Sequence, residues 1–349
     1  MTQPPPPDLP PLPDDGPILV TGAAGFIGSH VVDELLRLGR VVVGIDNFNS
    51  FYAPELKHGN LKRAETHASF SLIEMDIRDR QAVLGAFEQH QPSAVIHLAA
   101  MAGVRPSIES PSLYTAVNLD GTVNLLDAAI TLPTRPRFVF ASSSSVYGNN
   151  EKVPFAESDA VDRPISPYAA TKRAGELIAH TYAHLHRLPL VGLRFFTVYG
   201  PRQRPDLAIA KFLRLVHDEH RIPVFGDGTT SRDYTFIDDI VAGVIAATRY
   251  CGSSGHMDQA AVGTPDVAPG FDLFNLGGSD PVTLTQMIDA IGQAVGKQPI
   301  IDRQPMQPGD VERTFADVSK SKAKLGYEPT TSLVEGVRRQ WEGMHTGSS

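Results

Sequence analysis

The 349-residue chain has one cysteine, Cys251, so no internal disulfide can form and a reducing compartment is expected. It has no run apolar and long enough to cross a bilayer, which excludes a membrane-spanning helix. Lysine and arginine never gather into a block, and the formal net charge is -8. That balance argues against nucleic acid or an anionic membrane as partner. The twelve histidines lack metal-ligand spacing, so no metal is expected. The amino terminus lacks the cationic-then-apolar order of a secretion signal, which leaves the cytoplasm as the expected location. Residues 1–16, rich in proline and aspartate, read instead as a disordered tail.

Beyond that tail, apolar β-rich runs alternate with helix-length amphipathic segments. The runs cover residues 18–21, 41–45, 70–75, 94–98, 138–141 and 190–195. The segments between them, 26–38, 55–65, 80–89, 113–130 and 168–186, read as helices. Continuous apolar strands alternating with helices predict an α/β fold, a doubly wound parallel sheet covered on both faces. After Phe196 loops lengthen, and strands are expected only near 223–225 and 272–275. Helices are expected at 239–249, 283–295 and 333–341, with a surface loop over 252–270. The division is a nucleotide-binding domain over 17–196, to which later segments return, and a smaller carboxy-terminal α/β substrate-binding lobe, mainly 197–345.

Thr21 to Gly28 directly follows the first run and opens the first helix. Gly22 permits a tight turn, Gly25 lets backbone approach a pyrophosphate, and Gly28 lets helix and strand pack closely. The intervening Ala24, Phe26 and Ile27 would present backbone N–H groups to the phosphates. Asp46 ends the second run, where a carboxylate accepts both adenosine ribose hydroxyls and repels a 2′-phosphate. Asn47 follows it instead of a basic residue, so the expected cofactor is NAD. Asp76 and Ile77 follow the third run and could flank the adenine, or Asp76 could cap a helix. Leu98, Ala99 and Ala100 after the fourth run, with Phe195 and Val198, complete the expected lining.

Tyr168 and Lys172 stand four apart at the start of a helix, on one face. A phenol titrates near ~10, so it serves as a base at neutral pH only when a nearby ammonium favours its ionised form. Ser142 to Ser145 ends the fifth run, at the sheet edge where ligands of such folds bind. His97 ends a buried run and reads as structural.

The three-glycine turn, the Ser142-Ser143-Ser144-Ser145-Val146-Tyr147-Gly148 run and Tyr168-x-x-x-Lys172 resemble the extended short-chain dehydrogenase/reductase family, its NAD-dependent epimerases and dehydratases. The resemblance covers residues 18–341 and implies a Rossmann fold. Residues 101–105, 164–172, 193–202, 230–234 and 306–311 are similar to the sugar-nucleotide epimerases, especially those acting on UDP-glucuronic acid. The resemblance implies inversion at carbon 4 through a 4-keto sugar, with tightly bound NAD, in a homodimer. Tyr168 would be the base, Ser143 or Ser145 a bridging hydroxyl, and Lys172 the group that holds the nicotinamide ribose and keeps Tyr168 ionised. Thr197 and Arg204, assisted by Ser144 and Ser145, would hold the sugar carboxylate. Arg232 would meet the diphosphate, Asp310 the uridine ribose, and Lys211, Val224 and Phe225 the uridine pocket.

Two departures bear on the reaction. Related dehydratases carry Asp-Glu where this chain has Ser144-Ser145, so water elimination is disfavoured. Related UDP-glucose 4-epimerases carry an aromatic-Asn-Pro stretch where this chain has Phe196-Thr197-Val198. A UDP-glucose/galactose 4-epimerase, a UDP-glucuronate decarboxylase and a catalytically silent NAD-binding regulator stand as alternatives. Arg202 and Arg204 could also form a solvated loop, and Arg232 with Asp233 a surface ion pair.

Overall fold

A computed structural model describes residues 7–257, 268–305 and 313–346. In chain order its strands are β1 (Ile18–Thr21), β2 (Val42–Asp46), β3 (Phe70–Glu74), β4 (Ala94–His97), β5 (Arg137–Ser143) and β6 (Leu190–Phe195). There follow β7 (Thr197–Tyr199), β8 (Arg221–Phe225), β9 (Ser231–Phe236), β10 (Phe271–Leu276), β11 (Pro281–Thr283) and β12 (Ile300–Gln304). Seven strands form the central sheet in the order β3-β2-β1-β4-β5-β6-β10. Every pairing in it is parallel, as the doubly wound reading requires. β1, β2, β4 and β6 are buried at every residue, which is why their sequences run apolar without alternation. Each enclosed Leu, Ile or Val contributes about 1.5–3 kcal/mol. The winding reverses between β1 and β4, so a crevice opens beyond their carboxyl ends.

The carboxy-terminal half returns to this sheet twice. β10 adds to its edge beside β6, and the helix Ile237–Tyr250 packs on the helix Phe26–Arg37. Outside it, β11-β9-β7 and β12-β8 make two small sheets. β8 was expected near 223–225, whereas β7, β9, β11 and β12, of three to six residues each, carry too little period to be read from the sequence.

Two expectations change. The segment expected as a disordered tail is docked from Pro7 onward. Leu12 is buried in the main core, Arg249 donates to Leu9 O and Pro10 O at 3.0 and 2.8 Å, and Arg137 donates to Pro11 O. Prolines have no N–H, so this segment offers carbonyls, and arginines of the domain supply the donors. The helix expected over 113–130 is instead Pro111–Thr115 and Gly121–Thr131, joined by a wide π-type turn at Ala116–Asp120. Asn118 in that turn accepts from Met101 N and donates to Met101 O and Thr171 Oγ1, at 2.8–3.0 Å. Among the described residues no helix is long and apolar enough to cross a membrane.

One buried ion pair joins the elements that carry the site. Arg194 of β6 and Glu176 of the helix Pro167–His186 are each 1% exposed. Arg194 Nε and Nη2 donate to the two carboxylate oxygens at 2.8 Å each. Ser142 Oγ adds a bond to Glu176 at 2.6 Å, and Arg194 Nη1 reaches Tyr147 Oη, which donates to Asn275 of β10. Burial pushes the Glu176 carboxyl up, but Arg194 more than offsets this and holds it below its ordinary value. Glu176→Ala would leave a buried guanidinium unpaired and is expected to cost about 3–5 kcal/mol, whereas Glu176→Leu with Arg194→Met should cost much less. Urea unfolding measures both; single and double variants of equal stability would deny the pair this role.

Candidate active site

A cavity of about 390 Å³ lies beyond the carboxyl ends of β1 and β4. Its first wall is the turn after β1. Gly22 has φ +69°, and a Cβ there would lie 2.8 Å from Ala99 N. A Cβ on Gly28 would lie 2.0 Å from Gly22 O, so helix and strand approach as closely as only glycine permits. The helix Phe26–Arg37 begins with no side-chain cap at Gly25, leaving its first amides for an anion. Asp46 accepts Ala24 N at 3.1 Å and Phe48 N at 2.9 Å, one on each oxygen. Each oxygen keeps a further lone pair for a ribose hydroxyl. This cradle fits a dinucleotide.

Of the expected cofactor residues, Gly22, Gly25, Phe26, Ile27, Gly28, Asp46, Asn47, Asp76, Ile77, Leu98, Ala99, Ala100, Phe195 and Val198 line the cavity. Ala24 joins through its amide on Asp46. Asp76 is not a helix cap: Asp79 accepts Gln81 N and Ala82 N at the start of the helix Arg80–His90. Asp76 binds Arg78 and Asn47, and the Arg78 hydrogen bond leads in lowering its pKa to about 2.

The second wall is the start of the helix Pro167–His186. Ser166 caps it by accepting Ala169 N at 3.1 Å, and Pro167 fixes the first turn. Tyr168 and Lys172 consequently project into the cavity with Ser143. Lys172 Nζ donates to Ala141 O at 2.7 Å and lies 6.0 Å from the Tyr168 ring centre. Burial lowers the Lys172 pKa to about 8. Burial also raises Tyr168, against the lowering effects of its Ser143 hydrogen bond and of Arg204. Lys172 was expected to keep Tyr168 ionised; in the unliganded site burial outweighs the lowering by Ser143 and Arg204.

Thr197 and Arg204 line the same cavity. Arg202 turns away, with φ +63°, to pair with Asp33 at 2.8 Å. Ser143 and Ser145 hydroxyls are 3.1 Å apart, but Ser144, Ser145, Lys211, Val224, Phe225 and Arg232 do not line the cavity. Lys211 is exposed on the helix Ala208–His217, and Val224 is buried in the core. Asp233 forms no surface ion pair with Arg232; it is buried and accepts Gly278 N, Ser279 N and Ala316 N at 2.5–3.1 Å. Asp310 lies outside the described residues. His97 is structural, held between Thr21 and Thr122 hydroxyls at 2.7 and 2.9 Å. Sequence reasoning missed Asn118, Phe51, Tyr52 and Lys57, which have no motif of their own. Lys57 donates to Asn49 O at 2.7 Å, beside the Asp46 wall.

The family model described as GDP-mannose 4,6 dehydratase matches residues 19–340. A UDP-glucuronate 4-epimerase of Thermodesulfobacterium geofontis is 41% identical over 325 residues, 93% of this chain and 94% of that protein. UDP-glucuronate 4-epimerase 3 of Arabidopsis thaliana is 44% identical over 331 residues, 92% of this chain and 75% of that protein. The crystal structure of the Bacillus cereus UDP-glucuronic acid 4-epimerase with UDP-glucuronic acid and NAD superposes with TM-score 0.83 at 35% identity. That match covers 94% of this chain and 99% of that one.

Gly28→Ala tests the cradle. Its new methyl group would force Gly22 away, so calorimetry should find NAD binding weakened by about a hundredfold or more, some 2.7 kcal/mol. Binding within twofold of the parent, about 0.4 kcal/mol, would remove the turn from the cofactor site.

Proposed function

The chain belongs to the GDP-mannose 4,6 dehydratase family, and on that premise we propose that it is a UDP-glucuronate 4-epimerase. It interconverts UDP-glucuronic and UDP-galacturonic acid through a transient 4-keto sugar, with NAD bound throughout. The observation that carries this reading is one cavity holding Tyr168, Ser143 and Lys172 together with Thr197 and Arg204. The similarity to UDP-glucuronate 4-epimerases along almost the whole chain supports it.

The Gly22–Gly28 turn and the first amides of its helix would hold the NAD diphosphate, Asp46 the adenosine ribose, and Lys172 the nicotinamide ribose. Bound there, NAD supplies a reversible two-electron acceptor for sugar carbon 4 and a cationic ring. Tyr168 Oη takes the proton of the sugar 4-hydroxyl and later returns it. Ser143, which lines the same cavity as Tyr168, would orient that oxygen. Burial favours the protonated phenol in the unliganded site, and the cationic nicotinamide ring, once bound, would favour loss of that proton. The 4-keto sugar turns over about its diphosphate linkage before reduction on the opposite face.

Oxidation at carbon 4 makes the sugar a β-keto acid, which loses carbon dioxide when its carboxylate stands perpendicular to the carbonyl plane. Arg204 and Thr197 hold the carboxylate out of that orientation. Ser144 and Ser145 carry no carboxylate for dehydration chemistry. Arg232 and Asp310 are the proposed contacts of the nucleotide end. A homodimer is proposed through the outer face of the helix Pro167–His186, where Leu177 and Leu185 are 53% and 69% exposed. The lone, buried Cys251 suits the cytoplasm, where thiols stay reduced.

Incubated with UDP-glucuronic acid and no added NAD, the purified protein should form UDP-galacturonic acid. UDP-pentose with carbon dioxide would identify a decarboxylase instead, and turnover of UDP-glucose alone would remove the roles of Thr197 and Arg204. Tyr168→Phe should retain NAD and lose about a thousandfold in kcat; near-normal turnover would exclude Tyr168 as the base. Leu177→Asp should convert a dimer to a monomer by light scattering, and a monomeric parent would end the dimer proposal.

A further inference from the structure

Arg204 is held on three sides before any substrate arrives. Its Nε and Nη2 donate to the two oxygens of Asp206, at 3.0 and 2.7 Å. Its Nη1 donates to Ala102 O at 3.2 Å. Its guanidinium carbon lies 4.7 Å from the centre of the Phe51 ring. The side chain is 14% exposed, while that of Asp206 is 49% exposed. Among the described residues, one N–H on Nη1 and one on Nη2 keep no protein partner. Those two nitrogens form the end of the fork, which a second carboxylate can take end-on.

We propose that Asp206 and Phe51 are positioning residues for uronate specificity, turning the Arg204 guanidinium so that its outer Nη1/Nη2 edge meets the sugar carboxylate. This rests on the uronate reading above. An arginine side chain has many rotamers, so an untethered Arg204 could follow a substrate carboxylate into many orientations. The tethered one cannot. Asp206 fixes the side edge, Phe51 covers one face, and Ala102 fixes the inner corner.

The three anchors come from three separate stretches of chain. Phe51 lies in the loop after β2, whose turns are closed by Phe48 N on Asp46, Asn49 N on Asn47 and Phe51 N on Asn49, at 2.9–3.1 Å. Ala102 follows Met101, which Asn118 binds at both its N–H and carbonyl. Asp206 follows directly in the Arg204 loop. Burial alone would raise its pKa, but the Arg204 hydrogen bonds lower it further, so Asp206 stays ionised as a partner. An exposed Arg–Asp pair adds little stability. Its consequence here is direction.

Direction matters because of the 4-keto intermediate. If the carboxylate swings perpendicular to the carbonyl plane, the C5–C6 bond breaks and its electron pair becomes the enolate of the 4-ketone. Carbon dioxide leaves as that bond breaks, carbon 5 takes a proton, and the hydride first removed from carbon 4, held as NADH, would reduce the ketone to give UDP-pentose. A loosened Arg204 should therefore bind the uronate less well and leak this product.

The test uses NAD-loaded enzyme. Dissociation constants for UDP-glucuronic acid and UDP-glucose are measured by calorimetry, and products of UDP-glucuronic acid are resolved by chromatography. Asp206→Asn and Phe51→Leu should each weaken UDP-glucuronic acid about tenfold, leave UDP-glucose within about twofold, and raise the UDP-pentose share. Asp206→Glu and Phe51→Tyr should recover part of each effect. Unchanged uronate binding and product share would overturn the proposal, as would equal weakening of both ligands, the mark of a merely structural role. Tighter uronate binding by Asp206→Asn would also overturn it, showing Asp206 to be a competitor for the fork. If the parent enzyme itself does not prefer the uronate, the uronate reading fails and this inference falls with it. A failure of the inference alone leaves a uronate-selective parent and variants that match it.

Discussion

The buried pair of Arg194 and Glu176 is the constraint on which the active site depends. Neither charge can reach water, so each is tolerable only while the other holds its bidentate geometry. That geometry fixes the roll of the helix Pro167–His186 against β6. Lys172 stands one turn before Glu176, Ser142 bonds the same carboxylate just before Ser143, and Thr197 follows Arg194 by three residues. Through Tyr147 the pair also reaches Asn275, whose amide donates to Phe155 O and Asp317 O. Helix, strand exit and carboxy-terminal segments are thus registered to one another by one interaction that touches none of the reacting atoms.

Burial acts on the chemistry as well. Tyr168 is shifted upward and Lys172 downward, so both are biased toward their uncharged forms. For Tyr168 this bias opposes action as a base, so the proposed chemistry needs a bound cationic group to lower the phenol again. The cavity walls combine apolar side chains with polar groups at both ends, Asp46, Asn47 and Asp76 at one and Ser143, Tyr168, Lys172, Thr197 and Arg204 at the other.

The central sheet was legible in the sequence because its buried strands are continuous apolar runs, and the glycine turn was legible because each glycine answers a separate steric demand. Tyr168 and Lys172 could be paired by helical spacing alone. The docked Pro7–Leu12 segment was not legible, since its order depends on arginines distant in sequence. The Arg194–Glu176 pair was invisible for a related reason: a charged residue inside an apolar strand gives no hint of its partner on a helix. Lys211 and Val224, assigned by resemblance to a uridine pocket, do not line the cavity described: Lys211 is exposed on the helix Ala208–His217 and Val224 is buried in β8.

The stretch from Asp46 to Lys57 links the two ends of the cavity. Its first residue ends β2 and takes two backbone amides at the adenosine side, which leaves the following residues a short, tightly turned path. Three successive side-chain-to-backbone bonds close that path and deliver Phe51 beneath Arg204. Lys57 then ties the loop back at Asn49. Asp46 and the ring that meets Arg204 are therefore separated by a few hydrogen-bonded turns. On the proposed reading, substrate selectivity is set partly by residues outside the sugar subsite, because the loop that begins at the adenosine end supplies the ring beside the uronate guanidinium.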